Sequence, residues 1–93
     1  MEEALEQVIH QPLATTVGLA TAELILAIQK EFPQVRLRPC EPIEGEDIHL
    51  NAYFPIRLEE RQAVQRRIIE IEHAVQDKYG VYTVVVALPE SEV

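Results

Sequence analysis

The sequence predicts an α+β domain: a two-layer α/β sandwich with the element order α-α-β-β-α-β, in which a three-stranded mixed sheet carries the main helices on one face. Three observations predict it. Residues 58–78 carry a single apolar stripe at helical spacing, residues 48–54 alternate apolar and polar side chains, and residues 81–88 are rich in β-branched residues. Because a helix with one apolar stripe needs an apolar surface to cover it, we expect this helix to lie across the two strands.

The helix over residues 58–78 is the element around which the other predictions are arranged. Gly80 follows it, and glycine commonly ends a helix because it adopts a left-handed backbone conformation without strain. The apolar stripe repeats at intervals of three and four residues and consists of Val64, Ile68, Ile71, Val75 and Tyr79.

An earlier helix is predicted to begin at Thr15 or Thr16, either of which can cap it, and to run to about Glu31. A helix that is apolar on most sides must be buried on most sides. We therefore expect its outer row to be covered either by residues 2–10, a predicted short amphipathic helix, or by a second molecule. Its inward stripe consists of Val17, Ala20, Thr21, Leu24, Ile28 and Phe32, and its outer row of Leu19, Ala22 and Leu26.

Residues 34–38 and 48–54 are predicted to form an antiparallel pair of strands, and residues 81–88 to return as a strand parallel to the second. The last strand is apolar on both faces, which predicts a central strand or one covered on both sides. Three strands with one uncovered face and exposed edges favour association with another molecule, either by edge pairing or by stacking of faces. The face away from the helices is predicted to show Arg36, Arg38, His49, Asn51, Tyr53, Thr83, Val85 and Ala87.

The composition limits the architecture and the classes of partner. We expect one domain over residues 1–93, with an N-terminal amphipathic helix within residues 1–12 and a polar tail at residues 89–93. The net charge of −8 disfavours nucleic acid and anionic membranes as partners. A single cysteine and an N-terminus without a signal-peptide pattern lead us to expect a cytoplasmic protein.

Residues with catalytic or metal-binding potential are scattered. The soft metal ligands are His10, Cys40, His49 and His73, and no two of them have the spacing of a zinc pair. The only serine is Ser91 in the tail, and the three glycines are isolated, so neither a nucleophile motif nor a phosphate loop is visible. We therefore expect no enzymatic activity, no cofactor and no metal.

The order of helix, two-strand hairpin, helix and strand is similar to that of the cytosolic C-terminal domains of cation diffusion facilitators and of K-homology-like RNA-binding modules. The chain has neither matching close pairs of histidines nor a Gly-x-x-Gly loop. The first resemblance implies an alternative function, a metal-sensing or small-ligand-binding domain that uses His49, Tyr53 and the acidic loop over residues 41–47.

The hypothesis that the sequence favours is a small cytosolic protein-binding or regulatory module, homodimeric and without catalytic activity of its own. Its partners are then a second copy of the chain and another protein. The apolar and basic side chains of the outer helix row, the open sheet face and the helix over 58–78 form the candidate interaction surface, which consists of Leu19, Ala22, Leu26, Arg36, Arg38, His49, Tyr53, Leu58, Ile69 and Val85.

Overall fold

A computed structural model describes residues 14–55 and 57–90, apart from the side chain of Leu58. The predicted helix over residues 2–10 lies outside these residues, as does most of the predicted tail. Within them the predicted α+β class and element order are confirmed. The elements are α1 (Ala14–Glu31), β1 (Arg36–Cys40), β2 (Ile48–Phe54), a short 3-10 turn (Leu58–Glu60), α2 (Arg61–Tyr79) and β3 (Thr83–Pro89).

The three strands form one mixed sheet in the order β1-β2-β3. The predicted antiparallel pairing of β1 with β2 and the parallel pairing of β2 with β3 are both confirmed. The prediction that the last strand is central is wrong, because among residues 14–55 and 57–90 β3 pairs only with β2 and lies at an edge of the sheet. Its second apolar face faces away from the helices.

Both helices pack on the same face of the sheet. The predicted inward stripes are confirmed, since Ala20, Leu24 and Ile28 of α1 are fully buried together with Ile68 of α2. These helix side chains pack against the alternate sheet residues that point towards the helices. Burying a large aliphatic side chain contributes about 1.5–3 kcal/mol, so this contact supplies much of the stability of so small a domain. The sheet side of the core consists of Ile48, Leu50, Ala52, Phe54, Val85 and Ala87.

The predicted end of α2 agrees with the structure, whereas the predicted start of α1 does not. Gly80 has a φ of 66° and its N–H donates to the Gln76 carbonyl at 2.8 Å, so the predicted left-handed end of α2 is confirmed. The predicted cap at Thr15 or Thr16 is wrong, because α1 already includes Ala14. Both threonines therefore have helical backbones, and neither occupies the extended conformation of a capping residue.

The outer edge of β3 is paired with side chains of α2. The Gln65 Nε2 group donates to the Val85 carbonyl at 3.0 Å, and the Ala87 N–H donates to Gln65 Oε1 at 3.0 Å. One amide side chain thus occupies the donor and acceptor positions of a residue in a neighbouring strand. Further along the edge, Gln76 Nε2 donates to the Thr83 carbonyl at 3.2 Å. Three backbone groups on the outer edge of β3 therefore have partners within the domain, namely the Thr83 and Val85 carbonyls and the Ala87 N–H.

The outer edge of β1 is interrupted by a proline. Pro39 lies opposite Leu50 in the antiparallel pair and has no N–H. Opposite residues in antiparallel strands form either a hydrogen-bonded pair, with two backbone hydrogen bonds, or a non-hydrogen-bonded pair. Because Pro39 has no N–H, it and Leu50 form a non-hydrogen-bonded pair. Its nitrogen therefore faces the free edge, where an added strand would require a donor.

We predict that Gln65→Leu lowers the free energy of unfolding by about 1–3 kcal/mol, because it leaves the Val85 carbonyl and the Ala87 N–H without their side-chain partner. Urea denaturation measures the change. The control is Gln62→Leu at an exposed glutamine one turn earlier, for which we expect a change within about 0.5 kcal/mol. Equal effects of the two substitutions would show that the edge contact is not a stabilising one.

Candidate interaction surfaces

The outer row of α1 is exposed along the helix. Leu19 is 57% exposed and Leu26 is 65% exposed, and Ala22 between them is also exposed. The structure therefore brings these three predicted residues together on one surface. Nothing in the described part of the chain buries them.

The exposed face of α1 has the spacing of a helix–helix seam. Thr15, Leu19, Ala22, Leu26 and Gln29 are all exposed and follow one another at intervals of four, three, four and three residues. This is the heptad spacing of positions that meet another helix in a coiled coil. None of the five is charged. We refer to these five residues as the α1 seam.

The face of the sheet away from the helices, which we call the open face, consists of three rows that cross the strands. Arg36 lies beside Tyr53, and Tyr53 beside Leu88; Arg38 lies beside Asn51, and Asn51 beside Val86. The third row runs from Cys40 through His49 to Val84. The predicted positions of Arg36, Arg38, His49, Asn51 and Tyr53 on this face are confirmed by the strand register, which aligns them with Val84, Val86 and Leu88. Tyr53 is nevertheless buried there.

The prediction for β3 on this face is wrong. Val85 is 3% exposed and belongs to the core between sheet and helices, as Ala87 does, and Thr83 is buried on the same side. The half-buried residues of the open face are instead Val84, Val86 and Leu88. Both sets are apolar enough to face a core, so periodicity alone did not distinguish them. The small side chains of Thr83 and Ala87 allow α2 to approach the sheet closely. Their small size was the feature of the sequence that could have identified the face of β3 that points to the helices.

Arg36, Arg38 and Tyr53 surround a hollow of about 340 Å³ on the open face, together with Leu37. Arg36 Nη1 lies 3.7 Å from Glu90 Oε1. The Arg36 side chain is largely exposed and that of Glu90 is partly exposed, so the pair holds its partners weakly. For Arg38 the described residues provide no ion-pair partner. Arg38 therefore presents a positive charge beside Tyr53, and Arg36 presents a second one that Glu90 neutralises in part. This arrangement suits a carboxylate.

His49 has a neighbour that bears on the metal-sensing alternative. Its Nδ1 lies 3.0 Å from Glu46 Oε1, and the same carboxylate accepts the Ile43 N–H at 2.8 Å. These hydrogen bonds hold the pKa of Glu46 below its usual value, the backbone bond more than the histidine. Of the acidic loop, only Glu46 meets His49 in this way. Among the described residues, no three histidine, cysteine or carboxylate side chains converge as metal ligands would.

Ile69 lies beside a second hollow, of about 210 Å³, which Tyr82 and His73 also line. Ile69 and Tyr82 are both exposed, whereas Glu72 at the bottom is buried. The predicted partner of Ile69, Leu58, has its side chain outside the described residues, so the structure does not bring the two together. Sequence reasoning missed Glu72, because a single acidic position on an amphipathic helix carries no signal of burial.

Glu72 is held by the edge of β3. The Thr83 hydroxyl donates to Glu72 Oε2 at 2.6 Å, and the Val85 N–H also donates to this carboxyl group. Burial raises the pKa of Glu72, and the two hydrogen bonds and the nearby His73 oppose that rise only in part. The buried carboxyl therefore costs the folded state stability when it is ionised.

We predict that Glu72→Gln removes a pH-dependent contribution to stability. Because the pKa of Glu72 is raised by folding, its favourable contribution is complete below the pKa of the unfolded chain and is lost as the pH rises through the folded pKa. The stability of the Glu72→Gln variant relative to the natural chain should therefore rise as the pH increases from about 4, near the ordinary pKa of a glutamate side chain, towards neutral pH. Urea denaturation across this range measures it. A constant difference between the two proteins would contradict the raised pKa. Glu59→Gln, at an exposed carboxyl, controls for the loss of one charge.

No protein-family model, curated protein or solved structure matches this chain. None of the helices in the described residues combines the length and hydrophobicity needed to span a membrane. The geometry of its own surfaces is therefore the basis for assigning a function.

Proposed function

We propose that the chain is a small cytosolic protein-interaction module, without catalytic activity of its own, that forms a homodimer through the α1 seam. One observation carries the proposal: Leu19 and Leu26 are more than half exposed on a heptad-spaced, uncharged helix face. An isolated exposed leucine is ordinary, but two leucines placed two helical turns apart on one seam favour a partner helix.

The charge of the chain favours a second copy as the partner. Sixteen acidic residues against eight basic ones give a surface on which two copies repel each other over most orientations. The α1 seam is an exception, because its exposed side chains carry no charge from Thr15 to Gln29. Two copies can approach there without bringing like charges into contact.

The residues of the seam suit a two-fold axis. In an antiparallel pair of α1 helices centred beside Ala22, Leu19 of one copy lies level with Leu26 of the other. The same patch then serves both copies, as an interface between two identical subunits requires. Gly18 has no side chain and Ala22 has a small one; both residues are exposed, and they allow the two helices to approach closely.

The length of the seam limits the strength of the dimer. The five seam positions span only about four turns of one helix. We expect this contact to be smaller than a stable interface, which buries about 800 Å² on each partner. We therefore expect a reversible dimer whose population depends on protein concentration in the micromolar range.

We predict that Leu26→Glu converts the dimer to a monomer, because two carboxylates would then enter an uncharged helix–helix contact. Sedimentation equilibrium over micromolar to millimolar concentrations measures the association, and we expect at least about a tenfold weaker dimer. Because Leu26 is largely exposed, its replacement leaves the fold intact, and a thermal melting point close to that of the natural chain verifies this.

Gln62→Glu is the matched control, since it adds one negative charge at an exposed position of α2 outside the seam. This variant should associate as the natural chain does. A natural chain that stays monomeric at millimolar concentration would overturn the proposal and would favour the other predicted occupant of this row, residues 2–10 of the same chain. Equal weakening by both substitutions would mean that net charge, and not the seam, controls association.

A further inference from the structure

The open face of the sheet is divided into columns of different chemistry. The column on β1 is basic, with Arg36 and Arg38; the column on β3 is apolar and consists of Val84, Val86 and Leu88. Polar side chains of β2 separate the two. A solvated sheet face mixes its side chains, whereas here charge and hydrophobicity lie on opposite sides of a three-stranded surface.

The basic column is unusual for this chain. The protein has a net charge of −8, yet two arginines project side by side from one strand. Tyr53 lines their hollow and is 8% exposed. Its hydroxyl accepts one long hydrogen bond, of 3.5 Å, from Asn51 Nδ2, which leaves the hydroxyl hydrogen free to be donated to an acceptor. Arginine forks bind carboxylates in a bidentate manner, and a tyrosine hydroxyl adds a third donor.

The closed edges of the sheet determine how a partner docks. The outer edge of β3 is occupied by Gln65 and Gln76, and that of β1 contains Pro39. Addition of a fourth strand is therefore disfavoured on both sides. A partner has to lie on the face itself. The outer strands of a three-stranded sheet are about 10 Å apart, and an α-helix with its side chains is about 10–12 Å wide.

We propose that the open face binds an acidic amphipathic helix of another protein. The carboxylates along one flank of this helix contact Arg36 and Arg38, and apolar side chains along the other flank cover Val84, Val86 and Leu88. This inference is independent of dimerisation, because the α1 seam lies on the opposite layer of the domain. Nucleic acid offers phosphates to the same arginines, but it is charged along its whole length, whereas the proposed helix carries carboxylates on one flank only. The net charge of −8 therefore disfavours nucleic acid more strongly.

The test uses the full chain and fluorescein-labelled synthetic helices of 18 residues. One peptide has glutamates along one flank and leucines along the other; a second has lysines in place of the glutamates; a third has the composition of the first in scrambled order. Fluorescence anisotropy measures binding, and a single-stranded oligonucleotide is titrated in parallel. We expect the acidic amphipathic peptide to bind, more weakly as salt is added, and the other three probes to bind at least about tenfold less well.

The double variant Arg36→Glu, Arg38→Glu should lose at least about tenfold in affinity for the acidic peptide and gain affinity for the lysine peptide, since the charge of the basic column is inverted. Arg57→Glu, Arg66→Glu is the matched control, because it changes the net charge equally at exposed arginines outside the open face. This control should keep most of the affinity for the acidic peptide.

Three results would overturn the proposal. The first is equal binding of the acidic peptide to the natural chain and to the Arg36, Arg38 variant. The second is equal loss in the control variant, which would assign the effect to net charge. The third is arginine-dependent binding of the oligonucleotide without binding of the peptide, which would identify nucleic acid as the occupant. Circular dichroism melting of each variant verifies that it is folded.

Discussion

The pairing of β3 with the side chains of α2 is the constraint on which the rest of the structure depends. An edge strand has backbone groups on one side that require partners, and in this chain Gln65, Glu72 and Gln76 provide them. Their spacing of seven and four residues places all three on one side of α2. The same rotation of the helix directs Ile68 and Val75 into the core. Hydrogen bonding and hydrophobic burial thus require the same position of α2, and each makes alternative positions more costly.

This position of α2 also determines the character of the open face. Because the helix approaches closely over Thr83 and Ala87, the bulkier alternate residues of β3 lie on the other side of the sheet. A one-residue shift in a strand exchanges its two faces, so the satisfied edge at Val85 fixes which residues are presented. The apolar column of the open face follows from a requirement of the core, whereas the basic column on β1 is set separately by the alternation of Arg36 and Arg38.

Sequence reasoning could predict what depends on spacing along one element. The stripe of α2, the inward stripe of α1 and the end of α2 at Gly80 all follow from helical geometry, and the structure has them as predicted. The exposed row of Leu19 and Leu26 follows in the same way. The pairing and direction of the strands were also predicted, but the side-chain contacts between elements were not accessible. Either set of alternate residues in β3 was apolar enough to face the helices. The contacts that select one set come from Gln65 and Glu72, which in the sequence look like ordinary polar positions of a helix. The hollow at Tyr53 likewise requires the register between β1 and β2.

The closed edges and the two exposed faces together restrict how the domain associates. Backbone pairing with another chain is blocked at β3 by amide side chains and disfavoured at β1 by Pro39, which protects so small a sheet from aggregation. In the described part of the chain, the outer face of α1 and the open face of the sheet then offer side chains through which association can occur. These two surfaces lie on opposite layers, so occupation of one leaves the other accessible. A dimer through α1 would then present two open faces on its outside, and a weak contact at each face would be strengthened when both bind the same partner assembly.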